Sequence, residues 1–252
     1  MKSNLDSQSS VRNIKLLIEY DGTEFCGWQR QPKVRTVEGE LLKALRQIVG
    51  FEPEIIAAAR TDSGVHAIGQ VVNLSIVSDL SATQFANALN GLLPHDIRVL
   101  SAEDVPLSFN ARFDAVTRVY RYEIIGRPTA IWHRYRWFVK WQLDIDAIRC
   151  ALDYLVGDHD FSAYTCSDED RSPWITLKEA RLLEIDPDSI ALVFCANRFL
   201  RKMVRIITGT LIEVGRGRLD PKDVHEILVN RDRTRAGPSA PPHGLYLVRV
   251  EY

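Results

Sequence analysis

A polar stretch of nine residues, Ala59-Arg60-Thr61-Asp62-Ser63-Gly64-Val65-His66-Ala67, separates two apolar runs and constrains what the chain around it can form. The run before it, Glu54-Ile55-Ile56-Ala57-Ala58, reads as a buried strand. The run after it, Gln70-Val71-Val72-Asn73-Leu74-Ser75-Ile76, alternates and reads as a second strand. Two strands would clamp between them a cation, a hydroxyl, a carboxylate, a glycine and an imidazole. A carboxylate at a strand end has its rotamer set by the scaffold, which suits chemistry. Asp-Ser-Gly is equally ordinary turn composition, so the local residues alone leave both readings open.

The elements around this loop follow a repeated order. Ile14–Tyr20 reads as a first strand, and Val37, Leu41, Leu45 and Ile48 recur at helical spacing between Thr36 and a capping Gly50. Ser81-Ala82-Thr83-Gln84 is a capping box that starts a helix carrying Phe85, Leu89 and Leu92, and Ile97 and Val99 lie in the strand that follows. The sum is β-α-β-β-α-β. The second half repeats it. A strand spans Thr117 to Ile125, and a helix runs from Asp144 to Gly157. Two strands, Ile175–Ile185 and Ser189–Ala196, turn at Asp186-Pro187-Asp188. A long helix runs from Phe199 to Val214, a shorter one follows Asp220-Pro221, and Leu245–Glu251 is a last strand. The fold predicted is α+β: two tandem ferredoxin-like (split βαβ) lobes sharing a largely antiparallel sheet. Residues 1–12 are expected to be a disordered tail, 13–108 an N-terminal lobe and 109–252 a C-terminal lobe.

Composition narrows the class. Hydrophobic content of 46% and charged content of 26% are those of a soluble globular chain, and no apolar run is long enough to cross a bilayer. The polar first residues lack the apolar core of a signal peptide. Cys26, Cys150, Cys166 and Cys195 lie far apart without a C-x-x-C pair, which argues against a metal site or disulfide framework and for a cytoplasmic protein. Net charge is −1, but it is segregated: residues 112–140 and 198–218 each carry an excess of five positive charges, and residues 141–170 an excess of seven negative ones. That pattern fits a positive cleft and an acidic outer face.

Arg60-Thr61-Asp62-x-Gly64-Val65-His66-Ala67 resembles the active-site signature of the tRNA pseudouridine synthase A family, with Ala59 where that family usually has Gly and Ser63 where Ala is usual. The resemblance runs from Tyr20-Asp21-Gly22-Thr23 to Gly244-Leu245-Tyr246-Leu247. It implies an isomerase that converts uridine to pseudouridine in the anticodon stem-loop of tRNA, just 3′ of the anticodon. It also implies a homodimer that uses no metal and no small-molecule cofactor, with a catalytic cleft between the lobes.

The resemblance assigns roles residue by residue. Asp62 is the nucleophile. Tyr120, the first tyrosine of Tyr120-Arg121-Tyr122, lies against the base. Arg205, in Met203-Val204-Arg205, pairs with the aspartate. Arg60 helps displace the target base, and Leu245 is the apolar contact under the uracil. Breaking N1–C1′, turning the base and rejoining it through C5 needs a nucleophile, a flat pocket and a proton acceptor, and a carboxylate can add to C1′ or C6 and leave again.

Other readings come from the residues themselves. Strand alternation puts Tyr120 and Tyr122 on one face. Arg198, Arg201, Lys202 and Arg205 fall at helical spacing as a basic stripe opposite Phe199 and Met203. His66 is read as a structural residue holding the loop by hydrogen bonds. Asn110 stands where the family usually has His, and residues 231–242 are expected to form a loop on the substrate side. Two other classes compete: a non-catalytic RNA-binding module, since ferredoxin-like sheets bind RNA, and an Asp-dependent hydrolase, which as a glycosidase would need a second carboxylate opposite Asp62.

Overall fold

The computed structural model describes residues 10–166 and 172–252. The tail expected over residues 1–12 therefore lies mostly outside the described residues, as do Asp168, Glu169 and Asp170 of the acidic stretch. The first strand, β1 (Val11–Tyr20), begins inside the span expected to be tail.

The helices form where their caps are written. Thr36 accepts from Gly39 N and opens α1 (Val37–Val49), which Gly50 closes in the left-handed conformation. The Ser81–Gln84 capping box opens α2 (Ala82–Leu92). Asp144 accepts from Ala147 N at the head of α3 (Ile145–Asp153). Asp220 and Asp223 form a reciprocal box around Pro221 at the start of α5 (Pro221–Asn230). α3 ends before the expected Gly157, and a short strand, β7 (Gly157–Asp160), takes up the chain there.

The fourth helix departs from expectation. α4 spans Met203–Gly215, because Lys202 adopts φ of 61° and breaks any helix through it. Arg198, Arg201 and Lys202 therefore precede the helix, and the basic stripe is not a helix face. Within α4, eleven of thirteen residues are buried, so it is a core helix rather than an amphipathic surface one.

One sheet of ten strands runs through the described chain. β1 lies between β3 (His66–Val77) and β4 (Ile97–Val105), antiparallel to both, and β2 (Ile56–Ala57) pairs with β3 at Val72 and Asn73. β5 (Thr117–Ile125) lies antiparallel to β10 (Leu245–Glu251) and β9 (Ser189–Ala196), with β8 (Trp174–Asp186) beyond β9 and β7 beyond β8. β6 (Trp137–Phe138) adds to the end of β5. The order β4-β1-β3-β2 in the first half matches β10-β5-β9-β8 in the second, the arrangement a split βαβ unit produces. The two halves meet where β3 and β10 run parallel through Tyr246 with His66 and Leu247 with Ala67. Gly69 permits that approach, since a Cβ there would overlap Val248 O. The buried strand expected over 54–58 is reduced to β2, which is half-buried.

α4 packs against the 231–242 loop at van der Waals distance. A Cβ on Gly209 would overlap the Pro238 carbonyl, and Gly237 N donates to Thr210 Oγ1. Ala240, two residues beyond Pro238, bonds both the backbone and the side chain of Arg205. Gly209→Ala should therefore push the loop away and destabilise the fold by about 1–3 kcal/mol, as overpacking does. A urea melt of the variant checks this, and an unchanged midpoint contradicts it.

Candidate active site

The polar loop between β2 and β3 is held from every side by main-chain and buried side-chain bonds. Behind it, Ala58 N donates to Val71 O and Gln70 Nε2 to Ala59 O, both partners coming from β3. In front of it, the 22–28 turn supplies Trp28 N to Thr61 O at 3.0 Å and Phe25 O to both Gly64 N and Ser63 Oγ. Below it, the buried Tyr20 hydroxyl meets Thr61 Oγ1 at 2.7 Å. Burial drives the Tyr20 pKa up, so this contact is between two neutral hydroxyls. Asp62 O accepts from Val65 N and closes the turn, with Gly64 at φ of 76°. The backbone of Asp62 is thus fixed before any ligand arrives.

Its side chain is fixed as well. Arg205 Nη1 donates to Asp62 Oδ2 at 3.1 Å, while Arg205 Nε donates to Ala240 O at 2.7 Å. A guanidinium held at both ends aims one carboxylate oxygen. Oδ1 has no hydrogen-bond partner among the described residues. The 231–242 loop, expected on the substrate side, instead buttresses Arg205 from behind through Ala240.

Asp62 opens into a cleft of about 1140 Å³. Tyr120, Arg60 and Leu245 line it too; Arg205 does not, and reaches Asp62 from beyond its wall. Tyr120 is buried on β5, its ring edge-on to Phe199 at 4.9 Å. Burial, with Asp62 nearby, raises the pKa of its hydroxyl, which has no hydrogen bond among the described residues. Leu245 is buried at the start of β10, in register with Tyr122. Tyr122 packs in the core, and its hydroxyl donates to Pro241 O. Arg60 is exposed and has no ion pair among the described residues.

The cleft carries the charge that the segregated sequence suggested. Arg112 and Arg118 from the first basic segment face it together with Arg198, Arg201 and Lys202 from the second. With Arg60 they make six cations around one carboxylate, Asp62, among the described lining residues. No group of His, Cys, Asp and Glu that could hold a metal occurs among the described residues, and no described helix is long and apolar enough to cross a membrane.

Sequence reasoning passed over Arg118. It is 8% exposed and has no acidic partner among its hydrogen bonds; its guanidinium donates to the carbonyls of Ala58, Arg112, Ala115 and Asn197. Those carbonyls belong to the start of the Asp62 loop, the turn before β5 and the segment before α4, so one side chain ties three walls of the cleft together. Strand parity held the signal, because residues 118, 120 and 122 share a face of β5.

His66 holds the loop as expected. Gly22 N donates to its Nδ1 at 3.0 Å, so Nδ1 accepts, and Nε2 donates toward Arg134 O and His243 O, each at 3.2 Å. The ring is therefore neutral although Asp21 Oδ1 lies 3.1 Å from Nδ1. Burial lowers the His66 pKa against the opposing pull of Asp21. A histidine whose folded pKa is depressed binds its proton more readily when unfolded, so its stabilising contribution is complete above the ordinary value of about 6.5 and is lost as pH falls through it. The thermal-midpoint gap between wild type and His66→Gln should therefore shrink from pH 7.5 to pH 5.5. A gap that holds or widens on acidification contradicts the neutral assignment.

The sequence model described as tRNA pseudouridine synthase matches residues 16–114 and 151–252. The chain is 40% identical over 244 residues to a protein of Caldicellulosiruptor bescii named tRNA pseudouridine synthase A, covering 96% of this chain and 100% of that one. A protein of the same name from Thermoanaerobacter sp. (strain X514) is 42% identical over 246 residues, with 96% and 100% covered. Among solved structures, a chain of a Cbf5-Nop10-Gar1 complex matches over 97% of this chain and 59% of its own at 11% identity, with a TM-score of 0.35, too low to add to the fold described above. With nearly full-length relatives at this identity, the chain belongs to the tRNA pseudouridine synthase family.

Proposed function

We propose that this chain isomerises uridine to pseudouridine in the anticodon stem-loop of tRNA, with Asp62 as the nucleophile. The observation that carries the reading is the Arg205–Asp62 pair at 3.1 Å, which presents Asp62 to a cleft whose other charged lining residues are cations. A polyanionic RNA is drawn to such a cleft, and a target base turned out of its stack enters it. Oδ1 of Asp62 adds to C1′ or C6 of the uridine, and the N1–C1′ bond breaks. The uracil turns between Tyr120 and Leu245, C5 bonds to C1′, and Asp62 leaves. N1 ends with a proton and C5 gives its own up. No electron acceptor, metal or other cofactor is needed for that balance. Tyr120 stays a phenol at neutral pH, since its pKa is raised, so it takes the C5 proton only while releasing its own to cleft water. Arg60, exposed at the mouth, occupies the space a displaced base vacates. The resemblance further implies a homodimer working in the cytoplasm.

The competing classes fit less well. A glycosidase needs two facing carboxylates, and Asp62 is the one carboxylate lining the cleft among the described residues. A passive RNA-binding sheet has no use for a carboxylate fixed at loop, turn and side chain.

Two measurements test the reading. Asp62→Asn keeps size and polarity, so with tRNA labelled at uracil C5 its release of label to water should fall to background while tRNA binding survives; substantial turnover by the folded variant sinks the nucleophile assignment. Tyr120→Phe keeps the ring and Tyr120→Leu removes it. Base–aromatic stacking is worth about 1–3 kcal/mol, so Leu should weaken binding. Phe should bind normally and slow the single-turnover rate at saturating enzyme. A Phe variant as fast as wild type leaves Tyr120 a stacking role alone.

A further inference from the structure

Phe113 is the most exposed of the large apolar side chains among the described residues, at 77%. Its exposure does not come from a loose loop. Asn110 Oδ1 accepts from Arg112 N at 3.0 Å and Phe113 N at 3.1 Å; Asn110 N donates to Asp114 Oδ2, and Asp114 N returns a bond to Asn110 O. Ala111, fully buried, anchors the turn through its N–H to Asn73 Oδ1 of β3 at 2.8 Å. The asparagine at position 110 thus builds a closed turn that holds a bare aromatic ring in solvent, with the Arg112 guanidinium 5.4 Å from the ring centroid. A singly exposed apolar side chain is ordinary on a protein surface; what sets Phe113 apart is the closed turn that fixes it beside the cleft.

The ring's position indicates what it contacts. A second groove of about 800 Å³ lies beside the Asp62 cleft, within the size range of small-ligand sites. Gln29, Gln31, Ala57, Arg60, Arg112 and Phe113 line both spaces, so they form a shared rim rather than two separate sites. The rim offers the next nucleotide of a nucleic acid that sends one base into the cleft a path into the second groove. Drawing out the target strips its neighbour of stacking on one face, and a planar ring beside two guanidiniums offers a replacement for that face and countercharge for its phosphate.

We propose that Phe113 is a stacking platform for the base adjacent to the target uridine, and that the groove beyond it is the subsite for that nucleotide. The proposal rests on the RNA-isomerase reading above and adds a second recognised nucleotide to it. Phe113 orients the substrate by stacking and takes no part in bond breaking.

A binding cycle tests it. Affinity for tRNA is measured for wild type, Phe113→Ala, Phe113→Trp and Phe113→Leu, using the natural sequence and versions abasic on the 5′ or 3′ side of the target. Loss of the ring should weaken binding about tenfold or more. Trp should restore it, and Leu, apolar but not planar, should not. With one of the two abasic tRNAs, wild type and Phe113→Ala should bind alike, because the ring has nothing left to stack on. The proposal is overturned if Phe113→Ala binds as well as wild type, if Leu restores as fully as Trp, or if the Ala penalty persists with both abasic tRNAs. It is also overturned if gel filtration shows that Phe113→Ala changes the oligomeric state, which would make the ring a subunit contact. Release of C5 label by wild type is scored separately. Its absence sinks the isomerase reading, whereas its presence alongside a failed cycle sinks only the stacking platform.

Discussion

Two residue pairs, Tyr246 with His66 and Leu247 with Ala67, make the strand contact on which the whole arrangement depends. Each half of the sheet is a largely antiparallel set with its own helices, and either could in principle bury its own face. What neither half contains is a cleft. The cleft is lined from both halves, by the Asp62 loop of the first and by Tyr120 and Leu245 of the second. The parallel pairing sets the loop before His66 and the residue before Tyr246 side by side at one end of the seam. They are Asp62's loop and Leu245. His66, neutral and bonded on both nitrogens, pins that point, and its ring stacks on Tyr246 at 4.9 Å.

Electrostatics then does what geometry has made room for. Six cations facing one carboxylate would be a poor way to stabilise a fold, since like charges in one cleft repel. Four carbonyls meet the charge of Arg118, and Asp62 meets that of a seventh cation, Arg205, from beyond the cleft wall. Arg198 is likewise tied to the carbonyls of Ser172 and Trp174, and a polyanion entering the cleft adds countercharge to the set. Asp62 is the exception in its surroundings: the one carboxylate among the described lining residues, clamped at one oxygen and open at the other.

Much of this was legible in the residues, and the reasons differ from element to element. Thr36, Ser81, Asp144 and Asp220 announce their helices because a cap is local chemistry, and the alternation of Gln70–Ile76 announces β3 because one period decides it. The start of α4 was not legible, since nothing in Arg201-Lys202-Met203 says that Lys202 will sit at positive φ. The helical spacing of the four cations was real but uninformative, because periodicity cannot show where a helix begins. β2 was overread for a related reason: Ile55 and Ile56 are apolar enough for a strand, but how many rungs form depends on a partner elsewhere in the chain. In the site, Asp62 and Arg205 were readable through a resemblance and not through spacing, as they lie far apart in sequence. Arg118 was hidden by its company, a basic residue in a basic segment whose partners are carbonyls without a sequence signature.

The seam has a consequence for how such a molecule is made. β10 is the last described strand, yet it is inserted between β3 and β5, in the middle of the sheet. Until it emerges from the ribosome, a nascent chain holds two half-sheets with unpaired inner edges, the kind of surface that pairs with strangers. The cleft that Asp62, translated early, opens into lacks part of its wall until Leu245 arrives. Activity is thus withheld from every incomplete product of synthesis, and a premature stop shortly before position 245 yields an inert, aggregation-prone protein rather than a weakened enzyme.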